Sequence, residues 1–328
     1  MPELDWLMIL FAVEVLRRFS TNPWRSTVAF VLILLSLSTG AEYLKNRSTL
    51  VRPDPSIEDQ VEYQMQDWMA RNMPGVRAMT AGSVRFWYNT WNDLPQLGGG
   101  SEQGLLNPGV MPPQWEILLG PDVELSVLWM KLLGIDALLV NEKHSKEHYH
   151  DYQFPQKFRG RLPALHDDQA GNLIYQVPRR YPGLARVVDR AQFNALPKIP
   201  GNGELGPLQA WNKVVENGPD APADTRWEGT DRLIVKAPVR AGQSVLVQIS
   251  FDSNWKAYRG LQRLTTRNSH LGFLVIDAPP GNEDIRLRFP TFSNIIGRIV
   301  TCFTLFVVVF LFFLSAHMEM ATRLAALP

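Results

Sequence analysis

A chain of 328 residues with 33 Lys+Arg against 32 Asp+Glu has a formal net charge of +1, which gives no sign of a nucleic-acid-binding surface, so no nucleic-acid partner is expected. The single cysteine, Cys302, lies in an apolar run near the C-terminus, which excludes a disulfide framework and a thiolate metal site in the rest of the chain. Hydrophobic residues make up 45% of the total but are strongly segregated along the chain, so position carries more information than the average.

Residues 1–25 hold a short apolar helix, Leu4 to Leu16, followed by a basic segment with Arg17, Arg18 and Arg25. The apolar part falls short of the ~20 residues that cross a hydrocarbon core. A short span, a buried helix and a helix lying on the membrane surface all stay open for it. Residues 26–44 read as a transmembrane helix, in which the Ser and Thr hydroxyls can bond to helix carbonyls. A cleaved signal peptide ending near Ala41 is the alternative, but the acidic start at Glu3 and Asp5 favours an uncleaved anchor. The arginines ahead of the helix place that end in the cytoplasm and the following region outside, although Lys45, Arg47 and Arg52 dilute the bias.

Residues 45–196 read as a small α/β domain. Ser56-Ile57-Glu58-Asp59 resembles a capping box, and Ile57, Val61, Met65, Trp68 and Met69 recur on one helical face until Asn72-Met73-Pro74-Gly75. A strand over 76–79 follows, then a helix from Leu125 to Leu133 closed by Gly134, and a buried strand from Ile135 to Val140. The Pro-, Gly- and Asn-rich stretch 197–224 reads as a linker. In 225–290, short runs with period-two alternation (Val245, Val247, Ile249, Phe251; Ile285, Leu287, Phe289) predict an antiparallel β-sandwich. Residues 291–317 form the strongest apolar run and read as a second transmembrane helix, with Arg298 near its start and residues 318–328 as a cytoplasmic tail. The predicted fold class is therefore a membrane-anchored α+β protein, with terminal transmembrane helices flanking a small α/β domain and an antiparallel β-sandwich.

Chemistry concentrates in Phe86 to Asn107. Trp87, Tyr88 and Trp91 stand among Asn89, Asn92 and Asp93, and aromatic faces beside amides and carboxylates suit a sugar, whose C–H faces stack while its hydroxyls need partners. The alternative, core aromatics beside a glycine loop at Gly98-Gly99-Gly100, carries equal weight. Asp93 and Glu102 could form the carboxylate pair of a glycoside hydrolase. His144, His148 and His150 offer imidazoles of the kind that ligate metals, but a solvated charged loop is the stronger reading, and no metal or cofactor is expected. The hairpin tip predicted at His166 to Asn172 carries no chemistry. A Walker loop, G-x-S-x-G, H-E-x-x-H and a dinucleotide fingerprint are all absent from the sequence.

Phe251-Asp252-Ser253-Asn254-Trp255-Lys256-Ala257-Tyr258, the Ala278-Pro279-Pro280-Gly281 turn and a last strand leading into an apolar run resemble the C-terminal part of YfhO-type bacterial membrane proteins, relatives of the multispanning GT-C glycosyltransferases. WMARNMPGVR, LLGIDALLV and IYQVPRRYPGLARVV are similar to the outer domain of the same group. The resemblance implies a bacterial cytoplasmic membrane location with the main domain extracytoplasmic. It also implies a glycan or lipid-linked sugar as ligand, and a multispanning glycosyltransferase subunit and membrane lipid as partners. Those relatives carry a membrane bundle with an acidic catalytic residue that nothing in this chain matches, so no catalytic residue is assigned. The expectation is a binding or positioning module using Trp87, Tyr88, Asn89, Trp91, Asn92 and Asp93, with Trp255 and Tyr258 as a second, weaker patch in which a core aromatic of the sandwich is the stronger reading for Trp255; the alternative is a structural protein scaffolding an envelope complex.

Overall fold

A computed structural model describes residues 56–99 and 107–289, together with residues 27, 31, 296, 297, 299–308 and 310. The chain divides into two units, Met1–Ile57 and Glu58–Pro328, and everything below concerns the second.

Helix α1 (Val61–Asn72) forms where Val61, Met65 and Met69 fall one turn apart on a buried face. It ends where Met73 caps Met69 O through its N–H (2.8 Å) and Gly75 takes a positive φ of 74°. Strand β1 (Ala78–Met79) leads into α2 (Gly82–Trp87). Helices α3 (Met111–Leu119) and α4 (Val123–Leu132) follow; Asp122 starts the latter by accepting from the N–H groups of Glu124 (2.7 Å) and Leu125 (3.2 Å).

Strands β1, β2 (Ala137–Asn141), β3 (Ala164–Asp167) and β4 (Asn172–Gln176) form a mixed sheet in the order β1-β2-β4-β3, with β1 parallel to β2 and the other pairs antiparallel. Period-two alternation divides its side chains between two cores. Ala137, Leu139 and Ile174 pack under α1 and α2 with Met65 and Val84, whereas Leu138, Val140, Leu173 and Tyr175 join Ile117, Met130 and Leu133 of α3, α4 and the turn after it.

A second, eight-stranded antiparallel sheet is built from β5 (Ala185–Asp189), β6 (Asp224–Trp227), β7 (Arg232–Lys236), β8 (Gln243–Ser250), β9 (Lys256–Arg259), β10 (Gln262–Asn268), β11 (Phe273–Asp277) and β12 (Ile285–Arg288). Its order is β5-β8-β11-β10-β9-β12-β7-β6. Ala185 and Val187 near one edge share a core with Leu233 and Val235 near the other, so the sheet encloses its own interior in a barrel- or sandwich-like arrangement. Val245, Val247, Leu274 and Ile276 point into that interior; Leu246, Phe273 and Val275 point outward into the helical core, which buries both faces of β8 and β11. The molecule is thus α+β.

Two stretches take a different structure from the one their sequence suggests. Residues 185–189, assigned to the first domain, are a strand of the eight-stranded sheet, because Ala185, Val187 and Val188 pair along β8 and are buried on both faces. Helix α5 (Arg190–Asn194) precedes the expected linker 197–224, and within that stretch a further helix, α6 (Leu205–Val215), buries Leu208, Trp211 and Val215. Pro207 sits in the first turn of α6, where its missing N–H costs no helical bond, so a residue that reads as a breaker is tolerated there.

Among the described residues no helix is long and apolar enough to cross a membrane. Residues 299–308 are helical and expose Ile299, Val300, Phe303, Leu305, Phe306 and Val308, positions that cover all sides of a helix of 3.6 residues per turn. The first apolar segment, nearly all of the 26–44 helix, the remainder of the 291–317 run and the 318–328 tail lie outside the described residues.

Candidate functional site

The described part of the aromatic stretch forms one wall of a cleft of about 490 Å³. Phe86 and Trp87 at the end of α2, with Thr90 just beyond, line it together with His148 and Tyr149 from the loop after β2 and with Ser83. The Phe86 and Tyr149 rings lie 5.9 Å apart, His148 stands edge-on to Tyr149 at 4.8 Å, and Trp87 stacks with Trp91 at 6.3 Å and 24°. Tyr63 of α1 meets Trp91 edge to face at 5.4 Å. Trp87 is 51% and Tyr149 56% exposed, an unusual state for large rings that could have been buried.

A buried carboxylate assembles the two walls. Glu147 Oε1 accepts from the N–H (2.6 Å) and the hydroxyl (2.7 Å) of Ser83 and from Tyr149 N–H (3.0 Å), and its Oε2 accepts from His150 N–H (2.6 Å). Desolvation opposes ionisation there, but these hydrogen bonds outweigh it and hold the carboxyl below the ordinary glutamate range. Asp151 adds an acceptor for Gly82 N–H (2.8 Å), so the free donors at the start of α2 are satisfied by the loop opposite. Gln66 ties the other end: its Nε2 donates to Trp87 O (3.1 Å) and its Oε1 accepts from Trp91 N–H (3.4 Å). The loop itself is anchored through Ser145, whose hydroxyl donates to Asn172 Oδ1 (2.5 Å) and accepts from Glu147 N–H (3.0 Å).

Of the residues singled out from sequence, Trp87, Asn89, Trp91 and Asp93 are exposed together on one stretch of surface, and Asn92 is half-buried beside them. Tyr88 is not available to a ligand. It is fully buried under α1 with Val84, one turn earlier on the same face, and burial pushes its phenol up. Trp255 is likewise a core residue: it packs edge-on to Phe289 at 5.2 Å and lines the interior of the eight-stranded sheet, because Trp255 and Ala257 share the inward face. Tyr258, one position on, is half-buried on β9 between Arg263 and Arg286 of the neighbouring strands.

Glu102 lies outside the described residues, so the Asp93–Glu102 separation is undefined. The three loop histidines do not converge: His144 Nδ1 sits 3.6 Å from Glu142 Oε2, His148 faces the cleft, and His150 takes a positive φ of 51°. Among the described residues no group of three or more His, Cys, Asp or Glu is placed to hold a metal.

Sequence reasoning missed Glu147, His148 and Tyr149 as parts of the site, since they sit in a stretch dense with charges that reads as solvated loop. A signal was present: Tyr149 flanked by two histidines is a poor match for a purely solvated segment. Comparisons with protein-family models, with curated proteins and with solved structures give no match.

Proposed function

We propose that this chain is a membrane-anchored extracytoplasmic module of a GT-C-type glycosyltransferase system, which binds a glycan or polyprenyl-phosphate sugar beside a separately encoded multispanning subunit. The reading rests above all on the cleft of half-exposed rings at Phe86, Trp87 and Tyr149, supplemented by Thr90 and His148 as hydrogen-bonding groups. Its volume of about 490 Å³ falls in the ordinary range of small-ligand sites. Rigid aromatic faces with few polar groups suit the alternating C–H and hydroxyl surface of a sugar. Anchoring by 291–317 draws support from the apolar helix at 299–308, since a helix hydrophobic on all sides belongs in lipid or against other helices.

The full chain purified in detergent should bind one class of glycan or lipid-linked sugar on an array. Trp87→Ala should weaken that binding by about tenfold or more, the loss of one stacking face, with thermal unfolding unchanged because the ring is exposed. Binding that is absent for every sugar, or indifferent to Trp87→Ala and Trp91→Ala, overturns the reading.

A scaffold in an envelope complex is the second reading. It is favoured by Trp115 and Leu119, exposed one turn apart on α3 and away from the cleft lining. Failure of every sugar, together with a stoichiometric complex dissociated by Trp115→Ala, would select it.

A further inference from the structure

Segment 197–203, read from sequence as linker, is fastened at both ends by tryptophans. Trp211 Nε1 donates to Pro197 O (2.8 Å) and Trp129 Nε1 donates to Asn202 O (2.6 Å). Pro197 and Pro200 restrict the backbone between them, and Gly203 turns with a φ of 110° against the Trp129 ring. The segment is therefore a pinned strap. Between it, the start of α3 and the turn from β10 to β11 lies a crevice of about 240 Å³.

The crevice has an apolar floor and a polar rim of nitrogen-bearing side chains. Pro112, Ile199 and Leu271 line it above the two buried indoles, whose N–H groups are already committed to carbonyls, so its floor is hydrocarbon. Lys198 and His270 complete the lining and both are exposed, and no carboxylate lines the crevice among the described residues. An apolar pocket with a lysine and a histidine at its mouth and no carboxylate among its described lining residues complements an anion attached to a compact apolar body.

We propose that this crevice is a binding site for a small organic anion, a carboxylate or phosphate monoester carried on a single ring, with the ring against Pro112, Ile199 and Leu271 above the buried indoles and the charge at Lys198 and His270. It shares no lining residue with the aromatic cleft and does not depend on the sugar-binding reading.

Benzoate, phenyl phosphate, benzyl alcohol and inorganic phosphate titrated into the detergent-purified full chain test it, read by calorimetry and by tryptophan fluorescence. Benzoate or phenyl phosphate should bind and quench or shift the emission, with benzyl alcohol and inorganic phosphate at least about tenfold weaker because each lacks one half of the recognition. Lys198→Ala and His270→Ala should each weaken the anion by about tenfold, the scale of a lost charge-assisted contact, without moving the thermal transition. Equal binding of benzyl alcohol, an unchanged affinity in the double variant, or no binding of any of the four at millimolar concentration overturns the assignment.

Discussion

At the scale of single residues, Glu147 has the largest consequence for the site. It is 2% exposed and receives hydrogen bonds from Ser83, Tyr149 and His150, so one carboxylate sets the distance between the two cleft walls. Glu147→Gln replaces one acceptor oxygen by an NH₂ that meets N–H donors, and should cost about 1–3 kcal/mol at neutral pH. Because the folded-state pKa is depressed, the stability Glu147 contributes is present above the unfolded value of roughly 4.3 and is lost as pH falls through the folded value. Urea unfolding at pH 7 and pH 3 should accordingly show a gap between wild type and Glu147→Gln that narrows on acidification. Gly82 is the second sensitive position. Its φ is +62°, and a Cβ there would fall inside contact distance of the Glu147 carboxylate. Gly82→Ala combines left-handed strain with displacement of that carboxylate and should destabilise by about 2 kcal/mol or more, measured as a lower urea midpoint. Neither residue stands out in the sequence, since both act through a contact between segments about 65 residues apart.

At the scale of elements, the junction between α3 and α4 is held by a side chain from outside it. Lys157 Nζ donates to Gly120 O (2.5 Å), Ser126 Oγ (2.9 Å) and Glu116 O (3.3 Å), placing a cation at the C-terminus of α3. Burial pulls this ammonium from its ordinary 10.5 down to about 8, against the opposing pull of Glu116 and Asp122. Between those two values the unfolded chain keeps the proton that the folded chain has released, so stability rises with pH across the window. Wild type should therefore gain stability relative to Lys157→Met from pH 8 to pH 10.5, and chemical denaturation at several pH values across that interval checks it. Much of the element order was legible locally. The faces of α1 and α4, the period of β8 and β12 and the turn glycines follow from side-chain spacing alone. Helix α6 was not, because Gly206 and Pro207 in its first turn hide an apolar face that only becomes a helix when Leu208 and Trp211 find the core.

At the scale of the whole molecule, the two sheets meet through a buried ionic network. Arg179 contacts Asp136 (3.0 Å), Glu216 (3.3 Å) and Gln248 Oε1 (2.9 Å), and Arg186 also reaches Glu216 (3.1 Å). Arg77, just before β1, donates to Gln248 O on β8, while Gln248 Nε2 donates to Leu132 O at the end of α4 (2.8 Å). Burial pulls Arg77 and Arg186 down to about 10 and pushes the Asp136 carboxyl up, the latter against Arg179, the Gly183 N–H and Arg186. Arg179→Ala would strand the buried Asp136 carboxylate and leave Glu216 to Arg186, and should cost about 3–5 kcal/mol. Because the network and the shared core couple both sheets, far-ultraviolet circular dichroism and tryptophan fluorescence should report one coincident unfolding transition in urea, displaced to lower urea by that variant.

What the sequence by itself determined was whatever depends on neighbours along the chain. That covers the α+β composition, the alternation that sends Val245, Val247 and Ile249 inward, and the clustering of Trp87 and Trp91 with polar groups, because helix and strand periods are local properties. Tertiary structure alone decided which aromatics are exposed. Tyr88 reads as a site residue but is claimed by a core, Trp255 takes the core place rather than the site place that its sequence also allows, and Tyr149 was brought to the cleft from a loop some 60 residues away by Glu147. Burial is a property of the partner surface, and no periodicity within a segment encodes which of its aromatic rings another segment will cover.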